Sequence, residues 1–151
     1  MPERAAELLP SLVDEVVRTF HHLRAASAAL HGDGEQSASR RGVLRGLART
    51  GPRTVPQMAR DRPVSRQFIQ QLVNGLVADG LVELAANPAH ARSHLVRLTA
   101  AGQAEVEAMA RVEAQLYERI AARFDAGDLA MAVRALGELR GALATLLEEE
   151  T

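Results

Sequence analysis

Thr54-Val-Pro-Gln-Met-Ala-Arg-Asp-Arg-Pro63-Val-Ser65-Arg-Gln-Phe-Ile-Gln-Gln-Leu-Val-Asn-Gly-Leu-Val-Ala-Asp-Gly80, followed by Leu81-Val-Glu-Leu-Ala-Ala-Asn-Pro-Ala-His90-Ala-Arg92-Ser-His94-Leu-Val-Arg-Leu-Thr99, is the stretch that decides the fold. Thr54 and Val55 open a short helix, Pro63 turns the chain, and Ser65 opens a longer helix that Gly80 closes. Two short extended runs joined by a polar loop come next. Helix, turn, helix and hairpin in that order outline a winged helix-turn-helix.

The second of these helices has two distinct faces. Val64, Phe68, Ile69, Leu72, Val73, Leu76 and Val77 recur at spacings of three and four, an apolar stripe expected to face a core. Arg66, Gln67, Gln70, Gln71 and Asn74 fall on the other side. Amide side chains donate and accept, and a guanidinium reaches guanine through two bonds, so this face suits base edges. A face selected only for solubility would hold Glu and Lys, whereas no acid occurs between Arg66 and Ala78.

A length of 151 residues fits a single domain able to bury a core. Hydrophobic residues reach 47% but aromatics only 3%, so the core must be Leu, Val and Ala, which favours helix packing over a β-sandwich. There is no cysteine, which removes disulfides, thiolate metal sites, a cysteine nucleophile and thiol redox sensing. The N-terminus lacks the basic start and apolar run of a signal peptide, and no stretch approaches the ~18 apolar residues of a membrane span, so a soluble cytoplasmic protein is expected.

Net charge is −1, but it is unevenly placed. Residues 40 to 97 hold ten arginines against three acids, while the rest of the chain holds eight against sixteen. A basic centre between acidic ends is the pattern of a DNA-facing module attached to another that does not touch DNA. Because all 18 basic residues are Arg, the choice of Arg at any one position carries no functional signal.

The flanks read as long amphipathic helices. Residues 2 to 31 form the first, with Leu9, Leu12, Val13, Val16, Val17, Phe20 and Leu23 on one stripe and Pro10 as a possible break. A glycine-rich loop over His31-Gly-Asp-Gly-Glu separates it from a second helix, capped by Ser37 or Ser39 and ended at Thr50 by Gly51-Pro52. Thr99 caps a fifth helix extending to Phe124, and Asp125-Ala-Gly-Asp128 starts a sixth. In that last helix Leu129, Ala132, Leu136, Leu139, Leu143 and Leu146 alternate spacings of three and four, the heptad seam of a helix that packs along another. Such a seam needs a partner, so residues 1–31 and 100–151 are read as dimerisation helices around a winged module at 36–99. An intertwined dimer is preferred to a small intrachain bundle.

Over essentially its whole length the chain resembles the MarR family of bacterial transcriptional regulators. Val64-Ser65-Arg66-Gln67-Phe68-Ile69 with Leu72-Val73-Asn74-Gly75-Leu76 is similar to the family's recognition helix. Asp79-Gly80-Leu81-Val82 is similar to its turn into the wing, and Asn87-Pro88 through Leu98-Thr99-Ala-Ala-Gly102 to the wing and its Leu-Thr-x-x-Gly junction. The resemblance implies a mostly α fold with a small β-hairpin wing and a homodimer with interleaved terminal helices. Recognition helices would enter successive major grooves of a palindrome, and wings the flanking minor grooves. It also implies a cytoplasmic repressor released by a small-molecule effector, with Thr54, Ser65, Arg66, Gln67, Gln70, Gln71, Asn74 and Arg92 facing double-stranded DNA. Ser65 is expected both to cap its helix and to meet a phosphate. Two departures stand out. The family carries Asp-x-Arg at the wing tip, and here His90-Ala91-Arg92 leaves Arg92 without a carboxylate tether. Asp61-Arg62-Pro63 stands where a glycine is common.

Other readings carry less. Arg40, Arg41, Arg45 and Arg49 lie on one helix, and a solvated face, or pairing with acids of a partner subunit, is preferred to phosphate contact. His90 and His94 flank an extended segment roughly 13 Å long, too far apart for one ion. His21 and His22 point about 100° apart on their helix and could line a ligand crevice, though a packed or solvated role is preferred. No metal or cofactor is expected. No nucleophile–base set, phosphate loop or spaced carboxylate pair suggests an enzyme. The lost wing aspartate leaves a protein-binding winged module as the alternative, and salt dependence separates it from DNA binding.

Overall fold

Four side-chain caps decide where the helices begin. Thr54 Oγ1 accepts the Gln57 N–H at 3.3 Å while Gln57 Oε1 accepts the Thr54 N–H at 2.9 Å, a reciprocal capping box. Ser65 Oγ accepts the Phe68 N–H at 3.1 Å. Thr99 Oγ1 accepts from Gly102 N–H at 3.0 Å, and Asp125 Oδ1 accepts from Gly127 N–H at 2.7 Å. The computed structural model describes residues 2–31 and 34–149. Its elements are α1 Pro2–His31, α2 Glu35–Thr50, α3 Val55–Asp61, α4 Arg66–Ala78, β1 Val82–Ala85, β2 Leu95–Leu98, α5 Ala100–Ala121 and α6 Ala126–Glu149. This is the winged helix-turn-helix read from the sequence.

Several boundaries move. Pro10 lies inside α1 without ending it, since the Leu- and Ala-rich turns on both sides outweigh one missing N–H bond. The expected loop between α1 and α2 lies partly on residues 32 and 33, outside the described residues, and α2 begins at Glu35 after Gly34 with no side-chain cap. Ser37 and Ser39 are therefore inside the helix. α5 ends at Ala121, short of Phe124, because Arg123 and Phe124 donate to Ile120 and Ala121 three residues back, tightening the chain out of the α-helical pattern.

The chain forms two compact units, Met1–Ala110 and Arg111–Thr151, with the boundary inside α5. In the first unit, Val43, Leu44 and Leu47 of α2 meet Met58 and Ala59 of α3 and Ile69, Leu72, Val73 and Leu76 of α4, closed over by Val82, Val96 and Met109. Burying each of the larger side chains contributes about 1.5–3 kcal/mol. The apolar arc of α4 is narrower than its sequence stripe: Val64, Phe68 and Val77 stay 39–40% exposed because they lie at the arc's margins. In the second unit, none of the described residues of α6 is buried. No helix is long and apolar enough to cross a membrane among the described residues.

β1 and β2 pair antiparallel with Val82 opposite Leu98 and Ala85 opposite Leu95. Arg53 adds a one-residue bridge to Val96, through bonds of 3.1 and 2.7 Å, tying the α2–α3 connection to the wing. A single bridging residue has no periodicity, and sequence reading does not find it.

The hairpin is fastened at its base. Leu81 C=O accepts the Thr99 N–H at 3.1 Å, and Thr99 Oγ1 donates to Gly80 C=O at 2.6 Å. Gly102 sits against this turn so closely that a Cβ there would lie 1.9 Å from the Leu81 carbonyl oxygen. Gly102→Ala must therefore open the junction at a cost of about 1–3 kcal/mol. Thermal unfolding followed by circular dichroism should show a midpoint several degrees lower, and an unchanged midpoint would refute the close approach.

Candidate nucleic-acid interface

α4 begins where its sequence can satisfy a helix start. The turn before it is closed by Val64 N–H donating to Ala59 C=O at 3.1 Å. The Arg62 side chain lies against α2 where Gly42 leaves space, its guanidinium 2.7 Å from where a Cβ would stand. Burial, then the neighbouring Arg49, push the Arg62 guanidinium below its ordinary pKa, with Asp61 opposing. Ser65 Oγ thus satisfies the third N–H of the helix, that of Phe68, while the N–H groups of Arg66 and Gln67 have no partner among the described residues. They point out of the helix end with the positive end of its dipole.

Arg66, Gln67, Gln70, Gln71 and Asn74 are all exposed, opposite the buried Ile69, Leu72, Val73 and Leu76. Gln70 Nε2 donates to Asn74 Oδ1 at 2.8 Å, which fixes those two amides against each other. Gln67 and Gln71 are left with no side-chain partner among the described residues. Thr54 does not belong to this surface: it is buried, and its hydroxyl is occupied by the α3 cap. Its part is to set the direction of α3.

The wing tip folds on backbone bonds. His90 N–H donates to Asn87 C=O at 3.2 Å, Ser93 N–H to His90 C=O at 3.1 Å, and Asn87 Oδ1 accepts the Ala89 N–H at 3.0 Å. With His90 in place of an acid, Arg92 is exposed and has no ion-pair partner among the described residues.

Between α4 and the wing lies an open cleft of about 450 Å³. Arg66, Gln67 and Gln70 form one wall, Arg92, Ser93 and His94 the other, and Leu84 and Val96 contribute from the hairpin. No carboxylate lines it. The three acids of the central segment are all engaged elsewhere: Asp79 with Arg40, Asp61 with Arg53 at 3.2 Å, and Glu83 with Arg97 at 2.7 Å. Positive charge is thus left over beside the start of α4. His94 escaped sequence reading as a site residue. No periodicity could have found it, because residues 92 to 94 lie in the turn before β2 and only the folded hairpin brings them opposite α4.

The arginine run on α2 plays another part. Arg40 pairs with Asp79 of its own chain and also donates to Gly75 C=O at 3.5 Å at the C-terminal end of α4. Arg41 is buried and donates to Ser27 Oγ of α1 at 3.2 Å. Both arginines, with His31, Ser37, Leu44 and Leu76, line a second cleft of about 240 Å³. His21 and His22 do not line it. His22 Nδ1 donates to Arg18 C=O at 2.9 Å, and His21 meets Phe20 edge-on at 5.8 Å, both on the exposed surface of α1.

Comparison with known proteins agrees with this architecture. The MarR family model matches residues 37–93, from the start of α2 to the wing. The Mycobacterium tuberculosis protein Rv2011c is 33% identical over 118 residues, covering 74% of this chain and 82% of its own. The crystal structure of the MarR family transcription regulator SP03579 superposes with a TM-score of 0.71 at 26% identity, over 97% of both chains. Bordetella bronchiseptica BpsR, whose DNA binding is regulated by 6-hydroxynicotinic acid, shares the fold at a TM-score of 0.68 and 21% identity, over 83% of this chain and 90% of its own. With its helix-turn-helix, wing and Thr99–Gly102 junction in these relations, the chain belongs to the MarR family of transcriptional regulators.

Proposed function

We propose that this chain binds DNA sequence-specifically as a homodimer, represses from a palindromic operator, and is released by a small-molecule effector. The observation that carries the reading is the exposed, acid-free face of α4 beside a cleft whose charged groups are all basic. Gln67 and Gln71 read base edges in the major groove, the α4 N-terminus with Ser65 and Arg66 holds a phosphate, and Arg92 reaches the minor groove. Gln70 and Asn74 act as one amide pair, presenting the Asn74 NH₂ and the Gln70 carbonyl outward.

Dimerisation follows from what a lone chain leaves uncovered. Leu9, Phe20 and Leu23 of α1 are 45–57% exposed, and Leu136, Leu143 and Leu146 of α6 are 41–56% exposed. On each helix by itself, a row of large apolar side chains left open to solvent marks an association face. A two-fold dimer then presents two recognition helices to half-sites about one helical turn apart.

The second cleft suits an effector. Arg40 both lines it and clamps the C-terminal end of α4, so a ligand that draws Arg40 from Asp79 shifts the recognition helix. That ligand control of DNA binding operates in BpsR, on the same fold, supports the reading.

Selection of bound duplexes from a random pool tests the proposal directly, and a purified protein that enriches no sequence would end it. Against the selected operator, Gln67→Ala and Gln71→Ala should each relax preference at particular base pairs by about 1–3 kcal/mol, with equal losses on every sequence counting against base reading. Arg92→Ala should weaken all duplexes alike and lower the slope of log affinity against log salt by about one; an unaltered slope would remove Arg92 from the interface. Ending the chain after Asp125 deletes α6 and should yield monomer or aggregate in sedimentation. A stable dimer of that form would place the interface elsewhere.

A further inference from the structure

The cleft between α4 and the wing holds two cations of fixed charge, Arg66 and Arg92, and one group whose charge can change, His94. None of the three has a hydrogen-bond or ion-pair partner among the described residues, in contrast to Arg40, Arg53 and Arg97, each held by an acid. The other elements around the cleft contribute no titratable group: α3 offers Val55 and Pro56, the hairpin offers Leu84 and Val96, and α4 adds only Gln67 and Gln70. The nearest acid in sequence, Glu83, alternates to the far side of the strand from Leu84 and is bonded to Arg97 across the hairpin.

We propose that His94 is a DNA-phosphate contact, and that operator binding by this protein is consequently coupled to uptake of a proton at each cleft. The inference rests on the DNA-binding reading above and adds a residue and a regulation to it. The occupant is chosen by charge and position: a cleft walled by bases, open to solvent, and bordered by the unpartnered N–H groups of a helix start accepts a backbone phosphate. A histidine side chain changes charge between about pH 5 and pH 8, and an adjacent phosphate favours its protonated form. The sign follows. The proton is held more tightly in the complex than in free protein, so affinity rises as pH falls through this window and the gain is lost as pH rises above it.

The experiment measures affinity for the selected operator at fixed ionic strength from about pH 5.5 to pH 8. Wild type should tighten by up to about tenfold per pH unit for each protomer engaged. His94→Gln, with a circular dichroism spectrum like wild type, should hold affinity nearly level across the range. His94→Arg should be level too, but as tight at the alkaline end as wild type is at the acid end. The salt slope of wild type should exceed that of His94→Gln by about 0.9 per protomer at the acid end, with the two slopes converging at the alkaline end. A pH-independent wild type, or a His94→Gln protein that keeps the wild-type pH slope, would overturn the proposal while leaving DNA binding intact. Failure of wild type to bind any duplex would instead overturn the reading on which it rests.

Discussion

The backbone contact between Gly102 and Leu81 is the constraint on which the placement of α4 beside the wing depends. α4, the wing and α5 meet where the chain turns through Gly80, and the Leu81 carbonyl accepts from Thr99 while α5 approaches too near for any side chain at position 102. Thr99 uses its hydroxyl twice, accepting from α5 and donating to Gly80. One short polar side chain thereby caps a helix, closes a hairpin and holds the turn that follows α4. The Leu-Thr-x-x-Gly pattern is the sequence expression of that economy of space.

Charge is organised by the same logic of pairing. The excess of arginine in the centre would repel itself and whatever lay beside it were it uniform. Instead each central acid is joined to an arginine that braces the scaffold: Arg40 at the end of α4, Arg53 beneath the wing, Arg97 across the hairpin. Exposed ion pairs of this kind add little to stability singly. Their effect is to decide which cations remain available, and Arg66 and Arg92, at the cleft, remain so.

Much of this was legible before any coordinates. Periodicity placed the helices because a 3.6-residue repeat of apolar side chains has few other solutions, and Ser65, Thr99 and Asp125 announced helix starts through chemistry confined to a few residues. The acid-free face of α4 was visible in the same way, opposite its apolar stripe. What sequence concealed was pairing across distance. The Arg40–Asp79 bond joins residues far apart in the chain, so Arg40 reads as a surface charge when it is a brace within its own chain. Thr54 was assigned to the interface because caps and phosphate contacts use the same hydroxyl chemistry, and only burial separates them. Phe68 and Val77 show the same limit: a helical stripe gives the centre of a buried arc but not its width.

The bridge between Arg53 and Val96 has a mechanical corollary. It joins the hairpin to the segment leading into α3, just as the Thr99 junction joins it to the end of α4, so the wing is pinned at two points along its length. A hairpin held in that way behaves as a caliper of set width. If it seats on a duplex as proposed, the adjacent grooves would have to come to that gauge, and base steps that bend or narrow easily would be favoured without being touched.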